Sequence, residues 1–237
     1  EDFTGRFDQE DTNFPFDDSC LLRYLIARNF DLKKASVMLQ NTLTWRANFG
    51  VKHIHRKETM ATIARENATG KIYLRGFDQN NNVIMYMRPV YENTSDHDGN
   101  CLHLVYNLER ACAIMFQRKQ LGIDGQRITL LVNYEGYSLF NAPPMRTSRA
   151  ILDILQNHYP ERLNRAYCIR PPWIFSAFWS MISPFIDVKT KVKVQMINAK
   201  SVENIAEQIT TASDGTWFAG ILEQDLGGSI KDEDHEQ

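Results

Sequence analysis

The sequence predicts an α/β fold in which a small N-terminal helical domain precedes a lobe built on a mixed, mainly parallel sheet. Three observations carry that expectation. Ile128 to Asn133 is a near-continuous apolar run, as expected of a strand buried on both faces of a parallel sheet. Strand-like and helix-like segments alternate from residue 71 to residue 197. Up to residue 65 the apolar spacing is helical.

Residues 1–16 are polar with scattered Phe and read as a loosely held arm. Asp17-Asp18-Ser19 reads as a helix start, with acids in the first turn. Leu21, Leu22, Leu25 and Ile26 follow at helical spacing. A second helix begins after Asp31, with Ala35, Met38, Leu39, Thr42 and Trp45 on its buried face and Gly50 as its C-cap. Lys71 to Leu74 reads as a strand and Val83 to Met87 as its return. The Asp78-Gln79-Asn80-Asn81-Asn82 turn joins them, because Asn tolerates left-handed backbone angles. Arg88 to Gly99 reads as a loop, with His97 a solvated loop residue.

His103 to Gln120 predicts a helix with Leu104, Leu108, Cys112 and Met115 on one face. The Ile128–Asn133 strand, a helix from Met145 to His158 and a short strand at Tyr167 to Ile169 follow. After the segment 174–186 come a strand at Val192 to Ile197 and a last helix at Val202 to Ile209. Leu226-Gly227-Gly228 closes the lobe, and the charged tail from Lys231 reads as disordered. The expected division is an arm and helical cap at 1–65, the α/β lobe at 66–230 and the tail at 231–237.

The segment from Ile174 to Ile186 is the unusual one. As a helix it carries Ile174, Phe178, Met181, Ile182 and Phe185 on one side and Phe175, Trp179 and Ile186 on a second. A helix apolar almost all round belongs in a large core or in lipid. It is too short to span a bilayer, which needs about 20 residues. Three readings stand: a core helix, a partner-binding helix, or a cover over an apolar cavity whose outer side touches membrane. Bulky aromatics followed by the basic run that ends at Lys193 favour the third, since Trp suits a membrane interface. Pro184 lacks a backbone donor and predicts a break near the helix end.

Composition narrows the function classes. The chain has 237 residues, a net charge of −2 and 43% apolar content, ordinary for one or two globular domains. Non-specific nucleic-acid binding needs a basic field that this balance does not supply. Cys20, Cys101, Cys112 and Cys168 are widely spread without a CxxC pair, so free buried thiols in a reducing, cytoplasmic setting are expected and a metal site is not. No secretory signal or transmembrane segment is visible, and a start at Glu1 instead of Met fits a segment of a longer protein. Catalytic residues are not expected. Gly136-Tyr137-Ser138-Leu139-Phe140 lacks the second glycine of a nucleophile elbow, His158 reads as a helix-end residue, and no phosphate-binding glycine loop occurs.

Several motifs together carry a family resemblance. Leu21-Leu22-Arg23-Tyr24-Leu25-Ile26-Ala27-Arg28-Asn29-Phe30-Asp31 resembles the opening of the CRAL-TRIO N-terminal helices, and Trp45-Arg46 resembles the pair that closes that unit. Tyr159-Pro160-Glu161-Arg162-Leu163 and the Pro184-to-Lys193 run resemble the lipid-binding domain of Sec14-like phosphatidylinositol transfer proteins. The resemblance covers residues 17–228. It implies a sheet flooring an apolar lipid cavity closed by a mobile helix, whose matching residues are Phe175, Phe178, Trp179, Ile182 and Phe185. It implies phosphatidylinositol as bound ligand in place of a cofactor, a transient membrane surface and a phosphoinositide kinase as partners, and a peripheral, monomeric protein.

Carried over by position, Arg28, Glu161, Thr190 and Lys193 form the implied headgroup set. The chemistry is sensible: an inositol phosphate needs charge-assisted donors to replace lost water. Arg28 and Lys193 can meet phosphate, the Thr190 hydroxyl can donate to it, and Glu161 can hold the lysine or an inositol hydroxyl. The bland alternatives are an ordinary Glu161–Lys193 ion pair and a surface role for Arg28. Asn29 departs from the family pattern, which has a second basic residue there. The cavity-wall positions Met85, Ile128 and Leu130 carry no hydroxyl where phosphatidylcholine-exchanging members have one, so poor choline-lipid transfer is expected. The rival readings are a carrier of another hydrophobe, such as a sterol, a tocopherol-like molecule or haem, and a ligand-free interaction module.

Overall fold

The computed structural model describes residues 14, 16–138 and 142–197. The expected helix at Val202–Ile209, the Leu226-Gly227-Gly228 closure, most of the arm and the tail lie outside the described residues. Two helices open the chain. In α1 (Asp18–Ala27) the Asp17 carboxylate accepts the Cys20 amide at 2.8 Å, a side-chain cap at the expected place. α2 (Leu32–Phe49) runs from its Asp31 cap to Gly50, whose φ of 79° is the left-handed turn that glycine adopts without strain. A third helix, α3 (Lys57–Asn67), was not expected: only Ile63 and Glu66 of it are buried, too sparse a stripe to read as periodic.

The lobe is a five-stranded sheet in the order β1 (Ile72–Phe77), β2 (Val83–Met87), β3 (Ile128–Asn133), β4 (Leu163–Ile169), β5 (Val194–Ile197). β1 and β2 are antiparallel, and the β2–β3, β3–β4 and β4–β5 pairs are parallel. The turn between β1 and β2 forms on Asp78, which accepts the amides of Asn80 and Asn82 at 2.9 Å, with Asn81 left-handed at φ 60°. Thr129 donates to the same carboxylate at 2.6 Å and pins the turn to β3.

Three boundaries correct the expectations. α4 (His97–Gln120) starts at His97, not His103, because Asp96 caps it through the Gly99 amide at 3.1 Å. His97 is therefore no solvated loop residue: its Nδ1 lies 3.0 Å from Thr147 Oγ1. β4 begins at Leu163, whose register partner is Ile128. β5 begins at Val194, since Asp187 caps a short helix, α7 (Val188–Lys191), through the Thr190 amide at 2.9 Å.

The helical cap is fastened to the lobe by polar contacts at the end of α5 (Met145–His158) and at α4. Thr42 donates to the Asn157 carbonyl at 3.1 Å, and Trp45 stacks on the His158 ring at 4.1 Å. Burial in that stack pushes the His158 pKa down to about 4, so the ring is neutral at pH 7. Arg46, only 3% exposed, meets Glu109 through two N–H···O bonds of 2.8 and 2.9 Å. Tyr159 donates to the same carboxylate at 2.6 Å, so this buried charge pair gains a third hydrogen bond.

Candidate functional site

One face of the sheet packs on its helices only in part, with Val83, Met85 and Ile128 sharing a core cluster with Leu104 and Leu108 of α4. Between them lies a cavity of about 740 Å³, within the size range of small-molecule sites. Met85, Ile128, Leu130, Val132 and Cys168 contribute its floor. They alternate along β2, β3 and β4, so side chains of one pleat face supply the wall. The three expected wall positions, Met85, Ile128 and Leu130, all reach it. Leu104 and Leu108 of α4 and Ile151 and Leu155 of α5 form the roof. Covering such walls removes apolar area worth about 25 cal/mol per Å².

The side of the cavity is closed by α6 (Phe175–Ile182), followed by a 3-10 turn at Ser183–Phe185. The expected single helix to Ile186 is thus shorter, and it breaks at Pro184 as that residue's missing donor demands. The two expected faces are also redistributed. Phe175, Phe178, Trp179, Ile182 and Ile186 all line the cavity. Trp173, Met181 and Phe185 point to solvent, 86%, 55% and 47% exposed. Phe185 therefore leaves the cavity-facing set, because the 3-10 turn after Ile182 changes the angular step between residues. The polar ties of this segment to the rest are few. The Gln156 side chain donates to the Phe185 carbonyl at 2.8 Å and accepts the Asp187 amide at 2.9 Å.

At the amino-terminal edge of the parallel strands, Arg28, Glu161, Thr190 and Lys193 all border the same cavity. Lys193 Nζ stands 3.5 Å from Glu161 Oε2, a loose pairing, and donates to the Leu163 carbonyl at 3.0 Å. The Arg28 guanidinium donates to the Ala27 carbonyl at 3.1 Å, which leaves most of its donors uncommitted. Glu161 sits at φ 56°, a left-handed conformation costing a side-chain-bearing residue about 1–2 kcal/mol. Asn29, the departure from the family pattern, accepts from Lys189 Nζ at 2.6 Å and ties the α1–α2 turn to α7.

The opposite end of the cavity was not foreseen. Lys71, Arg88, Glu92, Asn100, Tyr134 and Tyr137 border it there. Lys71 Nζ is 2.6 Å from both Glu66 and Glu92 and 3.2 Å from Asn100. The sequence gives little hint of this, since the four residues come from separate elements. Among the described residues all four cysteines are free, and no group of three His, Cys, Asp or Glu could hold a metal ion. No described helix is long and apolar enough to cross a membrane.

Comparison with known proteins places this architecture. The CRAL/TRIO domain profile matches residues 67–213, and the CRAL/TRIO N-terminal domain profile matches residues 2–41. A CRAL-TRIO domain-containing protein of Schizosaccharomyces pombe is 37% identical over 74% of this chain and 16% of its own length. The phosphatidylinositol transfer protein PDR17 of Saccharomyces cerevisiae is 35% identical over 73% of this chain and 50% of its own. The SEC14 cytosolic factor of Kluyveromyces lactis is 26% identical over 87% of this chain and 72% of its own. The chain thus spans half or less of the first two of these relatives. The crystal structure of Sfh5 superposes with a TM-score of 0.66 at 16% identity, covering 93% of this chain and 86% of that one, a likeness of fold.

Proposed function

The chain belongs to the CRAL/TRIO domain family, and from that premise we propose that it binds phosphatidylinositol and exchanges phospholipid at membranes. One observation carries the reading: Arg28, Glu161 and the neighbouring Thr190 and Lys193, from three separate parts of the chain, converge on one mouth of one apolar cavity. A phospholipid needs both environments at once, apolar walls for its chains and charge-assisted donors for its phosphate. The loose Lys193–Glu161 distance of 3.5 Å suits a lysine that can turn to a phosphate, with Glu161 left to accept from an inositol hydroxyl.

Lipid enters only if the cavity opens. α6 and the turn after it are the element proposed to move. Trp173, Met181 and Phe185 on its outer side would meet the bilayer, with Lys189 and Lys191 each contributing on the order of 1 kcal/mol at an anionic surface. A spin label at the exposed Ser180 should change environment when vesicles are added. Lipid exchange without any such change would place the moving element elsewhere.

The decisive experiment measures transfer of labelled phosphatidylinositol and phosphatidylcholine between vesicles, with wild type and Lys193→Ala. Loss of one charged hydrogen bond should lower phosphatidylinositol affinity about tenfold or more, a cost of roughly 1.5–3 kcal/mol. Unchanged transfer by Lys193→Ala overturns the headgroup assignment. Wild-type phosphatidylcholine transfer should be poor, because Met85, Ile128 and Leu130 offer a choline phosphate no donor. Mass spectrometry of lipid extracted from the purified protein distinguishes this reading from carriage of another hydrophobe.

A further inference from the structure

The turn between α1 and α2 treats a large apolar residue in an unusual way. Its backbone closes α1 by the paired bonds of a Schellman motif. The Phe30 amide donates to the Leu25 carbonyl at 2.7 Å, and the Asn29 amide donates to the Ile26 carbonyl at 3.2 Å. Asn29 takes the left-handed position at φ 52°, which Asn tolerates. In that motif an apolar residue at the next position frequently packs back on the last helical turn. Phe30 instead stands at φ 62°, rare for a bulky side chain, and is 66% exposed. The cap's own core takes in Leu25 and Ala27 but not Phe30. Leu32, at the start of α2, is exposed as well. This turn lies on the cavity mouth: Arg28 and Asn29 border the cavity, as do Val188 and Lys189 of α7. The Asn29–Lys189 bond of 2.6 Å joins the two segments. Val188 and, just past α7, Val192 also face solvent. On the same segments Lys33, Lys34, Lys189 and Lys191 outnumber the acids Asp31 and Asp187, each of which caps a helix.

From this arrangement we infer that the α1–α2 turn is a membrane anchor separate from the closing helix. Phe30 and Leu32, with Val188 and Val192 beyond the Asn29–Lys189 bond, enter the interface of an anionic lipid surface. Lys33, Lys34 and Lys189 meet its headgroups. Apolar side chains flanked by lysines complement a surface that is apolar beneath and anionic above. A bulky residue held in a strained conformation persists only where its surroundings enforce it, and such outliers gather at functional sites. The anchor differs from α6 in what carries it. α1 and α2 form the cap that the Arg46–Glu109 pair fastens to α4, so the turn keeps its place whether the cavity is open or shut. Contact through α6 changes as the cavity opens, and contact through the turn does not. The protein is therefore held with its cavity mouth against the bilayer before exchange begins. The inference rests on the reading that the chain exchanges lipid at membranes, and it is independent of which headgroup the mouth selects.

The test measures co-sedimentation of the full chain with phosphatidylcholine vesicles, with and without phosphatidylserine. Phe30→Asn removes the ring and keeps a residue that tolerates the left-handed backbone. Leu32→Glu places an acid in a first helical turn, where it suits the helix and opposes anionic lipid. Each should lower affinity for the phosphatidylserine vesicles about tenfold or more, the scale of one apolar side chain withdrawn from lipid. Neither should lower the thermal unfolding midpoint, because the first relieves backbone strain and the second favours the helix start. Combined with Met181→Asp, the Phe30→Asn loss should multiply, as expected of two separate contacts with one surface. Unchanged vesicle binding by both variants overturns the inference. A thermal midpoint lowered in step with binding makes the turn structural and overturns it too. So does self-association of wild type without vesicles that Phe30→Asn abolishes, which assigns the turn to a second copy of the chain. Wild type that binds neither kind of vesicle overturns the membrane reading as a whole, whereas binding lost through Met181→Asp and kept in Phe30→Asn overturns only the anchor.

Discussion

The two sides of the cavity are held in different ways. On the cap side, α2 meets α4 and α5 through the Arg46–Glu109 pair, the Tyr159 hydroxyl and the Trp45–His158 stack. On the other side α6 lies on the cavity by apolar contact, and two bonds from Gln156 latch the turn that follows it. Directional buried bonds fix one geometry, whereas apolar contact tolerates sliding and separation. The difference supports the proposed opening: the side fastened by charge serves as the frame, and the side held by packing, by Gln156 and by Arg149 over the Phe185 ring is the proposed door.

The largest test strikes the frame. Arg46→Ala leaves the Glu109 carboxylate buried without its cation and should cost about 3–5 kcal/mol of stability, measured by urea denaturation. A loss below about 1 kcal/mol would mean that the cap is not fastened there. The next test is titration. Burial, then the neighbouring Lys71, lowers the pKa of His103 to about 4 against an ordinary 6.5. Between those values the unfolded chain binds the extra proton. The stabilisation is thus complete above about pH 6.5 and declines as pH falls toward 4, by at most about 3 kcal/mol. Stability at pH 7 and pH 5 should therefore differ, and His103→Gln should reduce the slope without abolishing it, because His158 titrates the same way.

Substitutions on the door should separate function from stability. Met181→Asp removes an exposed apolar side chain and should weaken vesicle binding by an amount comparable to one buried Met, about 1.5–3 kcal/mol. Its unfolding free energy should stay within about 0.5 kcal/mol of wild type. Gln156→Ala gives the smallest effect, about 0.5–1.5 kcal/mol, together with faster lipid exchange between vesicles if the latch limits opening. Slower exchange in that variant would mean the glutamine serves some other step.

Much of the frame is legible along the chain because its causes are local. Asp17 and Asp31 announce helix starts, Gly50 ends α2, and the Asn-rich turn sets the β1–β2 hairpin. The runs Val83–Met87, Ile128–Asn133 and Met145–His158 appear with the bounds their patterns predict. The misses have equally physical causes. His97 joins α4 because Asp96 caps eight residues ahead of Leu104, where the apolar stripe begins. The faces of residues 174–186 change because a 3-10 turn alters the period that the helical reading assumed. Glu109, the acceptor for both Arg46 and Tyr159, carries no sequence mark that distinguishes it from a solvated helix residue.

By itself the sequence determined the α/β class, the bounds of β2, β3 and α5 and, through its motifs, the family to which the chain belongs. Those follow from spacing, capping chemistry and motif order, all of which act over a few neighbouring residues, whereas the four residues at the cavity mouth came by position from the family resemblance. Only the tertiary structure decided which apolar side chains line a cavity and which face solvent. It alone revealed that Lys71 meets Glu66 and Glu92 and that the Asn29–Lys189 bond joins the α1–α2 turn to α7. Such facts depend on contacts between residues distant in the chain. Periodicity is indifferent to whether an apolar face meets a packed core or an open space beneath it.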